Sequence, residues 1–193
     1  MNPATSCDSA HRTTMAKEQT AVFGGGCFWC IEAIFQRLNG VTHVESGYMG
    51  GHVDNPTYRQ VCGGDTGHVE VVRVTFNPDE ISYRDLLDVF FTVHDPTTLN
   101  RQGNDAGEQY RSVIFYNDEE QRRTAGETIA GLTAAKAFPE PIVTAVEPAS
   151  RFYAAEDYHQ NYYNENSRQP YCMFVISPKL EKFEKKFAEK MRA

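Results

Sequence analysis

Two cysteines three positions apart are the most reactive feature of the chain. They stand in Gly24-Gly25-Gly26-Cys27-Phe28-Trp29-Cys30. Residues 20–23 read as a short strand before the glycines, and a helix is expected from about 27 to 38. Three glycines let the backbone turn tightly and let a ligand approach it closely. Cys27 then falls in the first turn of the helix, where unpaired N–H groups favour an anion, so its thiol is expected to ionise below the usual range. Phe28 and Trp29 set an apolar, aromatic wall beside that sulfur. Cys30 lies one turn further on, within disulfide reach after modest adjustment. The plain alternative is a pair of small core residues. Against it stands the agreement of the glycine run, the helix start and the CxxC spacing. A CxxC alone fits thioredoxin-like exchange, half of a zinc site or peroxide sensing. Zinc needs a second ligand pair, and Cys62, His68, His159 and Cys172 are too scattered to form one.

Glu70 adds independent information. In Val69-Glu70-Val71-Val72-Arg73-Val74-Thr75-Phe76 the side chains alternate faces, which sets Glu70 with Val72, Val74 and Phe76 on the more apolar side. A charged carboxylate there is costly, so the group is expected to keep its proton and to donate it to chemistry at a nearby sulfur. A solvated strand end accounts for the same alternation equally well. Tyr58, in Asn55-Pro56-Thr57-Tyr58, and Tyr110, in Gly107-Glu108-Gln109-Tyr110, place phenols on loops, where they can donate to a substrate oxygen. Most tyrosines merely bury a ring, and spacing alone does not single these two out from the ten present.

Holding such groups together takes a folded frame. After the first strand and helix come strands at 41–48 and 69–76, with 49–67 reading as loop with at most one helical turn between them. Ser82 caps the next helix, with Asp85 at its third position and Leu86, Leu87, Phe90 and Phe91 as its buried stripe. A strand is expected at 111–116 and a long helix, capped by Asp118, to about 137. Later come a strand at 142–147, a short aromatic helix at 155–164 and a strand-like Phe174-Val175-Ile176. This order predicts an α+β two-layer sandwich: a ferredoxin-like βαββαβ core with extra loops and C-terminal elements. The irregular stretch 94–109 is long for a compact domain, and its Asn, Asp and Gly content points to function.

The 193 residues, 40% of them hydrophobic, suit one catalytic domain over 19–193 and leave little for a second. Residues 1–18 read as a flexible tail without the apolar stretch of a secretory signal. A net charge of -7 excludes a nucleic-acid partner, which would need a basic face. No apolar run reaches spanning length, so no membrane segment is expected. The five cysteines, Cys7, Cys27, Cys30, Cys62 and Cys172, are odd in number and follow no signal. Free or catalytic thiols in a reducing, cytoplasmic compartment fit this better than a disulfide framework.

Taken together, several blocks resemble the peptide methionine sulfoxide reductases of the A type. They are Gly26-Cys27-Phe28-Trp29, Asn55-Pro56-Thr57-Tyr58, Gly64-Asp65-Thr66-Gly67-His68, His94-Asp95-Pro96, Arg101-Gln102-Gly103-Asn104-Asp105 and Gln109-Tyr110-Arg111-Ser112, in the family's order, over about 19 to at least 174. The resemblance implies that Cys27 is the nucleophile and that Phe28 and Trp29 shape an apolar pocket for the substrate methyl group. It implies that Glu70, Tyr58 and Tyr110 bind the sulfoxide oxygen, with Glu70 as acid, and that Asp105 contributes to the pocket. It gives no redox role to a cysteine at the position of Cys62, which therefore reads as a packed thiol. The implied reaction reduces methionine S-sulfoxide, free or in oxidised proteins. It passes through a sulfenic acid on Cys27 and a disulfide that a thioredoxin-like dithiol protein reduces. No metal, flavin or nicotinamide is called for, and a monomer is expected.

The chain departs from many family members at Cys30, where they carry glycine and recycle through cysteines near the C-terminus. Cys172, in Gln169-Pro170-Tyr171-Cys172, resembles that recycling position, yet no glycine-rich tail follows it. Proximity favours Cys30 as first partner, with Cys172 as second or relay thiol. A general disulfide oxidoreductase would leave Glu70 and the tyrosines idle. A zinc-based interaction module would carry bound zinc that is lost with Cys27 and Cys30. The resemblance predicts thiol-dependent turnover of the S sulfoxide and essentially none of the R epimer. Assaying the two epimers separately checks this, and comparable rates on both would remove the A-type reading.

Overall fold

The computed structural model describes residues 17–193. Cys7 and all but the end of the expected tail lie outside the described residues. Eight strands and six helices follow in chain order. They are β1 (Gln19–Gly24), α1 (Phe28–Phe35), β2 (Val41–Met49), α2 (Tyr58–Cys62), β3 (Val69–Phe76), α3 (Tyr83–Val93), β4 (Arg101–Gln102), β5 (Asp105–Ala106), β6 (Val113–Tyr116), α4 (Glu119–Ala134), β7 (Ala145–Pro148), β8 (Tyr153–Ala154), α5 (Tyr162–Asn166) and α6 (Ser177–Lys186).

One sheet, in the order β7-β6-β1-β3-β2-β8, carries the fold. Its central four, numbered among themselves, run fourth, first, third, second, with β1 antiparallel to both β3 and β6 and β2 antiparallel to β3. This is the expected ferredoxin-like arrangement. β7 is added parallel to β6 at one edge and β8 antiparallel to β2 at the other. Alternation along the strands sorts the two faces. Ala21, Phe23, Val72, Val74 and Phe76 join the core under the helices, while Val22, Val69, Val71, Val113 and Phe115 form a smaller cluster behind the sheet. Phe23 ties the helices to β1, its ring stacking on Phe35 at 5.3 Å and on Phe90 at 5.0 Å. Gly47 lets β8 close on β2, because a Cβ there would lie 2.3 Å from the Phe152 ring and 2.5 Å from the Tyr153 carbonyl oxygen.

The caps act where expected. The Ser82 hydroxyl accepts from the Asp85 N–H (3.0 Å) and Asp85 accepts from the Ser82 N–H (3.1 Å). Asp118 accepts from the Gln121 N–H (2.8 Å). Thr57 and Gln60 make a similar box at the start of α2. The irregular stretch after α3 contains the small β4-β5 ladder and a 3-10 turn over Glu108–Tyr110.

Three expectations differ from the structure. Phe174-Val175-Ile176 is not strand but part of a π-type turn, Cys172–Ile176, that leads into α6. Its β-branched residues suggested a strand, but Cys172, Ile176, Leu180 and Phe183 are buried at helical spacing, and this stripe prevails. The aromatic helix expected at 155–164 is broken. Asp157–His159 forms a 3-10 turn, Asn161 adopts left-handed φ 54° and ψ 30°, and α5 starts only at Tyr162. The strand expected at 142–147 pairs only from Ala145, extending to Pro148. Among the described residues, no helix is long and apolar enough to cross a membrane. Because Phe23 joins β1 to both α1 and α3, Phe23→Ala is expected to cost about 3–5 kcal/mol of stability, measured by urea unfolding.

Candidate active site

Gly26 makes the connection from β1 to α1. Its φ of +93° lies where glycine is favoured, and a Cβ there would meet Gln102 Cγ at 2.8 Å. Cys27 follows at φ −60° and ψ 125°, immediately before the first helical turn rather than within it. The N–H of Phe28 donates to Glu70 Oε2 (3.1 Å), leaving the N–H of Trp29 to reach the Cys27 sulfur. One amide does not offset desolvation. Burial first, then the hydrogen bond with Cys30 and the Glu70 charge, push the Cys27 thiol well above its usual range. The expected lowering is therefore not found. Cys30 moves the other way: the hydrogen bond with Cys27 lowers its thiol, burial opposes this, and Lys179 and the Tyr171 hydroxyl assist.

Glu70 is 1% exposed, on the helix-covered face with Val72, Val74 and Phe76. The alternation thus resolves in favour of a buried carboxyl. Burial raises it to about 8, the Phe28 N–H opposes this, and the Asp105 and Cys30 charges add to it. It therefore holds its proton at neutral pH. Tyr110 ends the turn Glu108–Tyr110, and Tyr58 opens α2. Burial, first, raises both phenols, with Glu70 close enough to both to add to the effect, so both remain hydrogen-bond donors. The Tyr58 hydroxyl also bonds the Cys62 thiol. Cys62 itself is exposed and not packed as expected; the short α2 leaves only Val61 buried.

Aromatic rings surround Phe28 and Trp29. Phe28 packs against Tyr48 (5.8 Å), Tyr58 (6.5 Å) and His159 (5.3 Å). The Trp29 indole N–H donates to His159 Nδ1 (3.0 Å), and its ring stacks on Tyr162 at 3.7 Å. Glu156 accepts from the Tyr58 N–H (3.3 Å) and from the hydroxyls of Tyr48 (3.3 Å) and Tyr158 (3.0 Å). Asp105 reaches the site through Tyr171, whose hydroxyl donates to it (2.7 Å) and lies 3.8 Å from Cys30 Sγ. Cys172 is fully buried, and burial and the nearby Cys30 charge raise its thiol.

The structure thus gathers Cys27, Cys30, Glu70, Tyr58, Tyr110, Phe28 and Trp29, with Asp105 one hydrogen bond further out and Cys172 near Cys30. Sequence reasoning missed Tyr48, Glu156, His159, Tyr162 and Tyr171. The density of aromatic and polar residues in 156–163 was the only signal for Glu156, His159 and Tyr162, and it reads first as a short aromatic helix; Tyr48 and Tyr171 carried none. Among the described residues, no group of three or more His, Cys, Asp or Glu side chains could hold a metal ion.

Comparison with known proteins matches residues 19–191 to the model of the family described as peptide methionine sulfoxide reductase. The peptide methionine sulfoxide reductase MsrA of Deinococcus radiodurans is 60% identical, covering 92% of this chain and 86% of that protein. The reduced form of Mxr1 from Saccharomyces cerevisiae superposes with a TM-score of 0.75 at 35% identity, covering 81% of this chain and 90% of that one. Mxr1 in complex with Trx2 superposes with a TM-score of 0.54 at 25% identity, over 76% and 85% of the two chains.

The buried Glu70 carboxyl has a consequence for stability. Its carboxyl is raised in the folded chain, from an ordinary 4.5 to about 8. The folded state therefore holds a proton that the unfolded state has released, and stability falls as pH rises from about 4.5 to 8. Urea unfolding at pH 5 and pH 8 should show Glu70→Gln gaining on the unsubstituted protein by more than about 1 kcal/mol at the higher pH. An equal difference at both values would contradict a buried, protonated Glu70.

Proposed function

This chain belongs to the peptide methionine sulfoxide reductases, and we propose that Cys27, Glu70, Tyr58 and Tyr110 are the groups with which it performs the family's reaction. It reduces the S epimer of methionine sulfoxide to methionine at the expense of thiols, and so repairs oxidised proteins. The observation that carries the residue assignment is the Glu70 carboxyl, buried, protonated at neutral pH and hydrogen-bonded by the N–H of the residue after Cys27.

Sulfoxide sulfur is a poor electrophile until its oxygen gains a proton. In the proposed step Cys27, as thiolate, attacks the sulfur while Glu70 delivers its proton to the oxygen and the Tyr58 and Tyr110 hydroxyls donate hydrogen bonds to it. The sulfur–sulfur bond so formed breaks as the protonated oxygen passes from the substrate sulfur to Cys27, which becomes a sulfenic acid. Methionine leaves, and Glu70, having given its proton to the oxygen and taken the Cys27 thiol proton, ends as it began, so atoms and charge balance. Phe28 and Trp29 hold the substrate methyl group, with Asp105 supporting the pocket through Tyr171. The resting Cys27 thiol becomes reactive once a substrate oxygen draws the Glu70 proton away, because the carboxylate so formed accepts the thiol proton.

Cys30 is the proposed first resolving thiol. It is already hydrogen-bonded to Cys27, and its lowered thiol favours attack on the sulfenic acid, forming the Cys27–Cys30 disulfide and releasing water. Cys172, beside Cys30, is the second or relay thiol. The yeast neighbour solved with Trx2 supports a thioredoxin-like protein as the reductant of this chain. The four described cysteines are free, in keeping with a monomer acting in a reducing cytoplasm.

Glu70→Gln should slow the single-turnover rate on the S sulfoxide about a hundredfold, the usual loss on removing a general acid. It should also remove the decline in rate expected of the unsubstituted protein as pH rises through about 8. An unchanged rate at neutral pH would refute the acid role. Cys30→Ser should release one equivalent of methionine but lose turnover with a thioredoxin-like reductant, while Cys172→Ser keeps most of it. A Cys27–Cys172 disulfide mapped in the unsubstituted, substrate-oxidised protein would overturn that order.

A further inference from the structure

Glu32 is a buried carboxyl on α1 that the reaction does not use. It is 1% exposed and lies on α1 three residues after Trp29, so the two side chains leave the same helix face. That face meets the start of α5. Glu32 Oε1 accepts from the Asn161 N–H (2.9 Å) and Oε2 from the Tyr162 N–H (3.3 Å). Asn161 is held in the left-handed conformation there, φ 54°, with its side-chain oxygen accepting from the Asn164 amide (2.7 Å). Immediately beyond, the Tyr162 ring lies flat on the Trp29 indole, 3.7 Å between centroids and 7° between planes. One turn of α1 therefore grips residues 161 and 162 at two points, by main chain through Glu32 and by ring through Trp29.

From this geometry we infer that Glu32 is a positioning residue for the sulfoxide pocket: its carboxylate fixes the backbone of Asn161 and Tyr162, and the Tyr162 ring so placed sets the orientation of Trp29. Burial lifts the Glu32 carboxyl to about 7, and the two N–H groups hold it down. The bond pair is thus what makes a carboxylate tolerable at this buried place. A carboxyl with no task beyond stability would be an expensive choice on a face otherwise suited to apolar packing. His159 supplies the other constraint on Trp29, accepting from its indole N–H. With ring plane and indole nitrogen both held, the indole has one orientation, which is what a methyl-binding wall requires. The inference rests on the pocket assignment above, so its test includes readouts that need no substrate.

Trp29 is the one tryptophan of the chain, so tryptophan emission reports the surroundings of this ring alone. Glu32→Gln keeps the shape but turns an amide N–H₂ toward a backbone N–H. We expect altered Trp29 emission without substrate. KM for the S sulfoxide should rise roughly tenfold, the scale of one lost charge-assisted hydrogen bond, with the saturating single-turnover rate changed less than about twofold. Tyr162→Leu should reproduce both effects, and adding Glu32→Gln to it should change KM less than about twofold further. Unchanged emission and KM in folded Glu32→Gln, a loss confined to the single-turnover rate, or full additivity in the double variant would each overturn the proposal. Should Glu32→Gln fail to fold, amide exchange in the unsubstituted protein decides. The Asn161 and Tyr162 amides should exchange at least about tenfold slower than unstructured ones, and free exchange would overturn the proposal. A protein with these spectral and exchange properties but no sulfoxide activity would instead fault the functional reading.

Discussion

The hydrogen bond from the Phe28 N–H to the Glu70 carboxyl is the contact on which the site depends. It joins the start of α1 to the middle of the sheet across 42 residues of chain. It makes a buried acid tolerable by giving it a donor, and it removes from the helix start the amide that would otherwise help ionise Cys27. Nucleophile and acid are thereby set against each other. The acid keeps its proton because it is buried, and the thiol keeps its proton because it too is buried, beside Cys30 and with the Phe28 amide committed to the acid. Neither group is ionised at rest, and a substrate oxygen is what breaks the balance.

The same economy governs the far wall. Segment 156–162 has little regular structure to hold it, and side chains from elsewhere do so instead. Gln160 pairs with the Ser46 backbone on β2, accepting from its N–H (2.9 Å) and donating to its carbonyl (2.8 Å), in place of a strand neighbour. Glu156 collects one amide and two phenols, and Glu32 takes two amides. Buried backbone groups that neither helix nor sheet can satisfy are met by carboxylates and an amide. The aromatic residues of the segment are thereby free to face the pocket.

How much of this was legible in the sequence depended on the range of the interaction concerned. Local signals read true: the Ser82 and Asp118 caps, the alternation through β3 and the glycine turn before Cys27 all act over a few residues. The βαββαβ order followed from them. Glu70 was half legible, since alternation placed it on the apolar face but not at which depth. The Cys27 thiol was misread because burial, Cys30 and Glu70 outweigh the one amide that reaches it, and no local pattern encodes that burial. Phe174-Val175-Ile176 was misread because β-branched propensity yields to a buried stripe that is completed only at Leu180 and Phe183. Tyr162 and Tyr171 belong to the site solely through tertiary stacking and hydrogen bonds.

Residues 190–192 close back on the turn after α1. The Asn39 N–H donates to the Lys190 carbonyl (2.7 Å), the Arg192 N–H to the Arg37 carbonyl (2.9 Å), and Leu38 and Met191 form a bridge. The Arg192 guanidinium donates to the Leu38 carbonyl (3.3 Å) and to that of Val41. These contacts span about 150 residues, so closing them costs much chain entropy and rewards it late. During synthesis, Cys27 and the helix that bears Cys30 are made early, yet Tyr171 and Lys179 beside Cys30, and then the closing contacts of 190–192, come last. An emerging chain therefore carries its thiols without their native covering for most of its synthesis.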